Sequence, residues 1–534
     1  MPVVTRLVPL WLLGKDTWDV PAKGQAFGGI PLSDEQFLRL RAILAEVDDL
    51  QRAAALLNWD RQTYMPPAGG PGRGEQLATL QRLAHARFTS PEVGELLSTL
   101  ADEAAKQPYD SMQASLVRVT RREYDLMTKL PSDLVAEMAR AEAAGFDAWL
   151  QGRRARDWRP FSDPFARLVK LARQAADCIG WQASPFDALL QPQEPGMTSE
   201  QLDRLFGRLK EVLVPLTRAV GERADRVRDD FLAQPFDEER QLALTLEAVA
   251  AVGFDARERG RQDRSVHPFT TSFSSGDIRI TTRIDPDHLT RGLFSSLHEA
   301  GHGTYEQGIP ADLWHTPLGG GTSGGMHESQ SRLWENVVGR SRGFWEFFLP
   351  KAQAAFPAQL QGVDTEAMYR AVNRAGPSLI RVDADEVTYN LHIILRYELE
   401  QALLGGDLQP ADVPGAWAEK MRHYLGLTPP NDLVGALQDV HWTSGPMASF
   451  PGYTLGNVIS VQLYECAVAD EPGIPAGIRT GDTGPLLKWM RDHVHSHGSK
   501  LAPVEILERE TGRGLDPEPY LRYVQRKFAD IYGL

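Results

Sequence analysis

One helical rhythm runs through nearly the whole chain, and it breaks once. From "SDEQFLRLRAILAEVDDLQRAAALLNWD" onward, apolar residues recur three and four apart, with Phe37, Leu40, Ile43, Leu44, Val47 and Leu50 forming the first such series. That spacing marks one face of a helix with 3.6 residues per turn. Ser33 with Gln36 reads as a capping box at its start. "MPPAGGPG" at 65–72 interrupts the pattern, a second helix follows through "GEQLATLQRLAHARF", and similar segments run to about residue 260. The exception is "HPFTTSFSSGDIRITTRID", 267–285, where Ile278, Ile280 and Ile284 alternate with Arg279, Thr281 and Arg283. A period of two across a Ser-Ser-Gly-Asp turn reads as a hairpin with one polar face. Helices resume near residue 288. The expected fold is therefore mostly α, with one small β-hairpin or sheet.

The chain has 534 residues, of which 42% are hydrophobic, enough to bury a large core. Length alone suggests about three domains at ~150 residues each. Large all-helical chains often escape that division, and we read residues 34–534 as one helical domain behind an irregular, Gly/Pro-punctuated leader over residues 1–33. A net charge of −14 with no basic block argues against a nucleic-acid partner. Two cysteines, Cys178 and Cys466, exclude a disulfide framework, neither sits in a CxxC pair, and the reducing cytoplasm is the expected compartment. The apolar run in "RLVPLWLLGKD" is short, is interrupted by Pro9 and lacks an Ala-x-Ala site, so it does not read as a signal peptide. No stretch approaches the roughly 20 apolar residues that span a bilayer.

The chemistry concentrates in "RGLFSSLHEAGHGTYEQG". On a helix, residues four apart share a face, so His298 and His302 can point neutral imidazoles at one ion. Glu299 lies beside that face, where a general base would stand. Gly301 and Gly303 weaken helix propensity by up to about 1 kcal/mol each and leave room for packing or substrate. Catalytic zinc commonly takes three protein ligands and keeps a fourth position open. The third candidate lies in "MHESQSRLWENVVG", where Glu328 is preferred because a His2Glu set suits a peptidase zinc. The adjacent His327 competes for that place.

Several blocks beyond HEAGH are familiar: "LLNWDRQTYMPPAGGPGRGEQLATLQRLAH", "HPF", "DIRIT", "HESQSRLWEN", "IRVDADEVTYNLHIILRYELE", "LQDVHWTSG", "YTLGN" and the tail "YLRYVQRKFADIYGL". In order and approximate spacing, over about residues 35–534, the chain resembles the carboxypeptidase Taq family of metallocarboxypeptidases. The resemblance implies an all-helical gluzincin with a long central groove, usually a homodimer. It implies a zinc enzyme, with cobalt as a substitute, that removes single residues from peptide C-termini with broad preference and disfavours terminal proline. Carried over residue by residue, it makes His298, His302 and Glu328 the metal ligands and Glu299 the catalytic base. It associates His267, Pro268, Phe269, Asp277, Arg279 and Thr281 with the active-site groove.

Amide hydrolysis also needs a polar donor facing the developing oxyanion, for which Tyr453, His441 and Tyr389 are candidates. An exopeptidase needs a positive group for the terminal carboxylate, and arginine's planar fork suits that task. Arg381 in "IRVDADE" and Arg279 on the hairpin's polar face are the candidates. One position departs from the family pattern: "ASFPGY" at 448–453 has Ser449 where many relatives carry a first tyrosine, and keeps Tyr453. His493 and His497, four apart in "DHVHSHG", read as a surface helix end and not as a second metal site. "LGGGTSGG" lacks the Gly-Lys-Ser/Thr ending of a phosphate loop and reads as the loop leading to the Glu328 helix, and "SRGFWEFFL" reads as core packing. The alternatives to a carboxypeptidase are an oligopeptidase or endopeptidase on the same scaffold, and a helical binding protein that has lost catalysis.

Overall fold

In the computed structural model, residues 32–444 and 447–534 are described. The leader expected at 1–33 falls almost wholly outside these residues, and the first helix already begins at Leu32, one residue before the expected cap Ser33. The first helix spans Leu32–Thr63, and its apolar stripe is buried as the spacing requires: Leu40 and Ile43 are fully inaccessible, with Leu44 and Val47 close behind. A 3₁₀ turn at Pro67–Gly69 follows, then the helix Gly70–Phe88. The described chain is 69% helical with one small sheet, and no helix of it is long and apolar enough to cross a membrane.

The hairpin forms where the alternation places it. Strand β2, Thr270–Ser274, runs antiparallel to β3, Asp277–Thr282. Ile278 and Ile280 are completely buried. The sheet has a third strand, β1, Gly260–Arg264, which pairs in parallel on the other side of β3 and gives the order β1-β3-β2. We did not expect it from the sequence: "GRQDR" has no apolar alternation, and Asp263 is its one buried residue. The polar face also departs from the expected pattern, since Thr281 is as buried as the isoleucines.

Two helices cross behind the sheet. The motif helix, Leu289–Gly308, carries HEAGH, and the partner helix, Gly324–Arg332, carries Glu328. They approach at Gly301, where an added Cβ would lie 2.5 Å from Gln330 O and from Ser331 Cα, so any side chain there would drive the helices apart. The partner helix continues as a π-helical turn, Leu333–Val338, a feature often found at functional sites. A third helix, Pro451–Asp470, closes against it through Gly456, whose Cβ would meet Glu328 Cγ at 2.5 Å. "SRGFWEFFL" forms a buried helix, with Phe344, Trp345 and Phe348 all inaccessible, as expected of core packing.

Candidate metal centre

The partner helix is held at its start from two sides. Ser323 Oγ accepts from Met326 N at 3.0 Å, and the buried carboxyl of Glu194 accepts from Gly325 N. Burial pushes the Glu194 carboxyl up to about 7. This anchoring fixes the rotation of the helix and turns Glu328 toward the motif helix.

There Glu328 Oε2 lies 3.7 Å from His298 Nε2 and 3.7 Å from His302 Nε2, and the donor atoms of all three residues fall within 4.8 Å of one another. Donors about 2.1 Å from a tetrahedral ion sit about 3.4 Å apart, close to the two 3.7 Å separations, so the donor set suits a divalent metal. The other carboxylate oxygen, Glu328 Oε1, accepts from Arg332 Nε at 2.7 Å, which leaves Oε2 free to coordinate.

Each histidine is fixed from behind. His298 Nδ1 donates to Glu335 Oε2 at 2.9 Å, leaving Nε2 as a lone pair toward the site. Glu335 also receives Arg332 Nη1 at 3.1 Å. Burial opposes ionisation of Glu335, but Arg332 and His298 outweigh it and hold the carboxyl far below its usual range. His302 Nδ1 meets His327 Nδ1 at 2.7 Å, and His327 Nε2 meets Glu306 Oε1 at 2.9 Å. The proton positions follow. With His302 Nε2 bare, its Nδ1–H donates to His327, whose Nε2–H donates to Glu306. That use of both ring nitrogens leaves His327 no lone pair to offer the convergent set, and it stands behind His302. Burial, then the neighbouring His327 and His298, pushes His302 far below the usual imidazole range, so it is neutral as a ligand must be.

Glu299 is buried beside this set, and its Oε2 accepts from Thr270 Oγ1 at 2.7 Å. Burial raises its pKa. Thr270 opens β2, and the preceding His267-Pro268-Phe269 segment is shaped from below by Thr281, whose Oγ1 accepts from Phe269 N at 2.9 Å.

The centre opens into a cavity of about 1500 Å³ that His267, Glu299, Arg381, Tyr389, His441 and Tyr453 all line. Tyr453 OH lies 3.2 Å from His441 Nε2. Burial pushes His441 down to about 4 and Tyr453 up to about 12, so both are neutral near pH 7. Arg381 gives Nε and Nη2 to Asp439 Oδ1, at 3.0 and 2.8 Å, and Nη1 to Tyr389 OH at 3.0 Å. Among the described residues three of its five N–H groups are used, so one on Nη1 and one on Nη2 remain.

Two candidates stand apart. Arg279 and Asp277 do not line the cavity. Arg279 pairs bidentately with Asp277 at 2.9 and 2.8 Å and lies over the Trp59 and Phe273 rings at 4.3 and 4.9 Å, a packing role that ties the hairpin to the first helix. Thr281 is fully buried and does not line the cavity. Sequence reasoning missed Glu335, Arg332 and Glu306. Glu306 carried a usable signal, sitting one turn after His302 on the same face. His493 and His497 share the Glu510 carboxylate at 2.6 and 3.2 Å. The helix ends at His493, in agreement with a helix terminus.

Two histidines and a carboxylate converging beside a second, unshared glutamate, in a groove of a helical fold, form the constellation of a metallopeptidase. The model of the carboxypeptidase Taq (M32) metallopeptidase family matches residues 39–528. The chain belongs to that family. It is 41% identical over 507 residues to thermostable carboxypeptidase 1 of Thermus thermophilus, covering 93% of this chain and 98% of that protein. It is 35% identical over 492 residues to carboxypeptidase 1 of Bacillus subtilis, covering 92% and 98%. The crystal structure of the M32 carboxypeptidase from Deinococcus radiodurans superposes with a TM-score of 0.91 at 43% identity, covering 94% of this chain and all of that one. The protein is thus a metallocarboxypeptidase-family hydrolase, and its family implies a divalent metal.

Proposed function

We propose a zinc carboxypeptidase that releases single C-terminal residues from peptides, with broad preference and poor release of proline. His298 and His302 hold the metal through Nε2, and Glu328 through Oε2. Zinc bound there supplies Lewis acidity and lowers the pKa of water, and cobalt is expected to substitute for it. Glu299 takes the proton of the attacking water and returns it to the leaving amine. Tyr453, protonated at neutral pH, donates to the developing oxyanion, with neutral His441 orienting its hydroxyl. Arg381 receives the terminal carboxylate on its two unused N–H groups while Tyr389 and Asp439 hold its plane. His267 borders the substrate groove.

The observation that carries this reading is one cavity joining three convergent donors, a separate buried glutamate and an arginine with donors to spare. The test is to incubate the zinc-loaded protein with an unblocked peptide and follow the products by mass spectrometry. A ladder shortening from the C-terminus is expected, suppressed by C-terminal amidation. Internal cuts, N-terminal trimming, or turnover unaffected by Glu299→Gln would overturn the reading. We also place the protein in the cytoplasm, which two unpaired cysteines suit, and as a homodimer by family resemblance, which light scattering would test.

A further inference from the structure

Arg381 does not hold Asp439 alone. Arg396, completely inaccessible and absent from the cavity lining, donates Nε to Asp439 Oδ2 at 2.6 Å. Its Nη2 lies 2.5 Å from the same oxygen without the alignment of a hydrogen bond. Nη1 donates to His392 O at 2.6 Å, and the guanidinium stacks over Trp417 at 4.5 Å. One carboxylate therefore sits between two arginines, one facing the groove and one behind it.

The charge balance of this unit matters for its proposed task. A single Arg381–Asp439 pair is neutral, and a buried neutral pair attracts a substrate carboxylate weakly. Two arginines on one aspartate leave a net charge of +1. The histidines nearby do not alter that sum, because burial and the arginines keep His392 near about 3 and His441 near about 4. Glu400, one turn along from Arg396, accepts from Trp442 Nε1 and Ala448 N, at 2.8 and 2.9 Å, and burial pushes it up to about 7. Its negative charge is only partly developed at neutral pH.

We propose that Arg396 is a positioning residue for C-terminal recognition: it occupies Asp439 from behind, fixes the plane of Arg381 through that carboxylate, and leaves the positive charge of Arg381 uncancelled for the substrate's terminal carboxylate. This rests on the reading of Arg381 as the carboxylate reader. The expected partner is any peptide ending in a free α-carboxylate, whatever its last side chain, because the unit touches the backbone terminus alone.

The test uses the zinc-loaded full chain, an N-acetylated tripeptide with a free C-terminus as substrate, and the corresponding C-terminal amide as competitor. Arg396→Met should raise KM for the free acid by about tenfold or more while kcat stays within about twofold, and the inhibition constant of the amide should hardly move. Adding Asp439→Asn to Arg396→Met removes the charge that now cancels Arg381, and should recover much of the lost KM. A merely structural role predicts the opposite, a double variant worse than either single one. Arg396→Lys keeps the charge and should keep the preference for the free acid. It also serves if the methionine variant does not fold: loss of the preference in a folded lysine variant would overturn the inference. So would an unchanged KM in Arg396→Met, or no recovery in the double variant. Arg381→Gln separates the two levels. If it retains the free-acid preference, the reading of Arg381 fails. If it loses the preference and Arg396→Met does not, the inference about Arg396 fails alone.

Discussion

His302 Nδ1 and His327 Nδ1 lie 2.7 Å apart, so the two rings share one proton. The carboxylate of Glu306 takes the far nitrogen of His327, which completes a carboxylate–histidine–histidine line ending at the proposed ligand His302. Partners of this kind typically set metal affinity by 10- to 100-fold. His327→Ala and Glu306→Gln are each expected to raise the zinc dissociation constant by about 10-fold or more, measured by competition with a chromophoric chelator. A loss as complete as that of His302→Ala would instead make His327 a ligand.

Glu299 contributes no donor to the convergent set, and its carboxylate accepts from Thr270. Its removal should therefore separate binding from chemistry. Glu299→Gln is expected to retain zinc stoichiometry by elemental analysis and to lose about 10²- to 10⁴-fold in kcat. Loss of the metal in that variant would give Glu299 a structural role.

How much of this was legible in the chain follows from what each signal depends on. The hairpin was readable because Ile278 and Ile280 alternate with polar residues, and the pleat sends alternate residues to opposite faces. β1 was not, because its pairing rests on backbone hydrogen bonds and its sequence has no apolar face. HEAGH fixed two donors through the helix period alone. Glu328 was preferred over the adjacent His327 on the chemistry of the donor set, and the helix, which separates neighbouring residues by about 100°, turns Glu328 toward His298 and His302 and His327 toward Glu306. Glu335 keeps ordinary helical spacing from Arg332, with which it pairs, but the histidine it supports, His298, lies on another helix, so its role could not be read from the local period. The packing of Arg279 over Trp59 could not be read, because the two are distant in sequence.

The two arginines raised as carboxylate readers now make opposite predictions. Arg279→Gln breaks a partly exposed ion pair and a stack on Trp59, and is expected to cost about 1 kcal/mol of stability in urea unfolding. Its preference for a free C-terminus over an amide should match the parent protein. Arg381→Gln should abolish that preference. A loss of preference in Arg279→Gln would place that arginine in contact with substrate and reverse the assignment.

Tyr453, proposed as the oxyanion donor, holds its hydroxyl 3.2 Å from His441 Nε2. Tyr453→Phe should lower kcat by about 10²- to 10³-fold, the usual scale for one oxyanion donor, with KM little changed. Steady-state kinetics on a blocked dipeptide would read this. A drop of less than twofold would move the task to Tyr389 or to His441 itself.

Acid stability should follow from three histidines buried in neutral form. Burial, with nearby arginines, pushes His392 and His495 down to about 3 and His441 down to about 4, whereas an unfolded histidine titrates near 6.5. Between those values the unfolded chain binds more protons than the folded one, so stability is full above about pH 6.5 and falls as the pH drops through that window. Each such histidine contributes at most about 2 kcal/mol of loss between pH 7 and pH 5. Asp439 and Glu335, both held low by arginines, lose stability in the same direction at lower pH. His495 is the cleanest probe, since it contacts Gln330 at 3.0 Å and leaves its other nitrogen unpaired, away from the groove. His495→Gln should cost stability at pH 7 yet show a shallower decline between pH 7 and pH 5 in urea unfolding. An unchanged slope would mean that the imidazole takes up its proton within the folded protein.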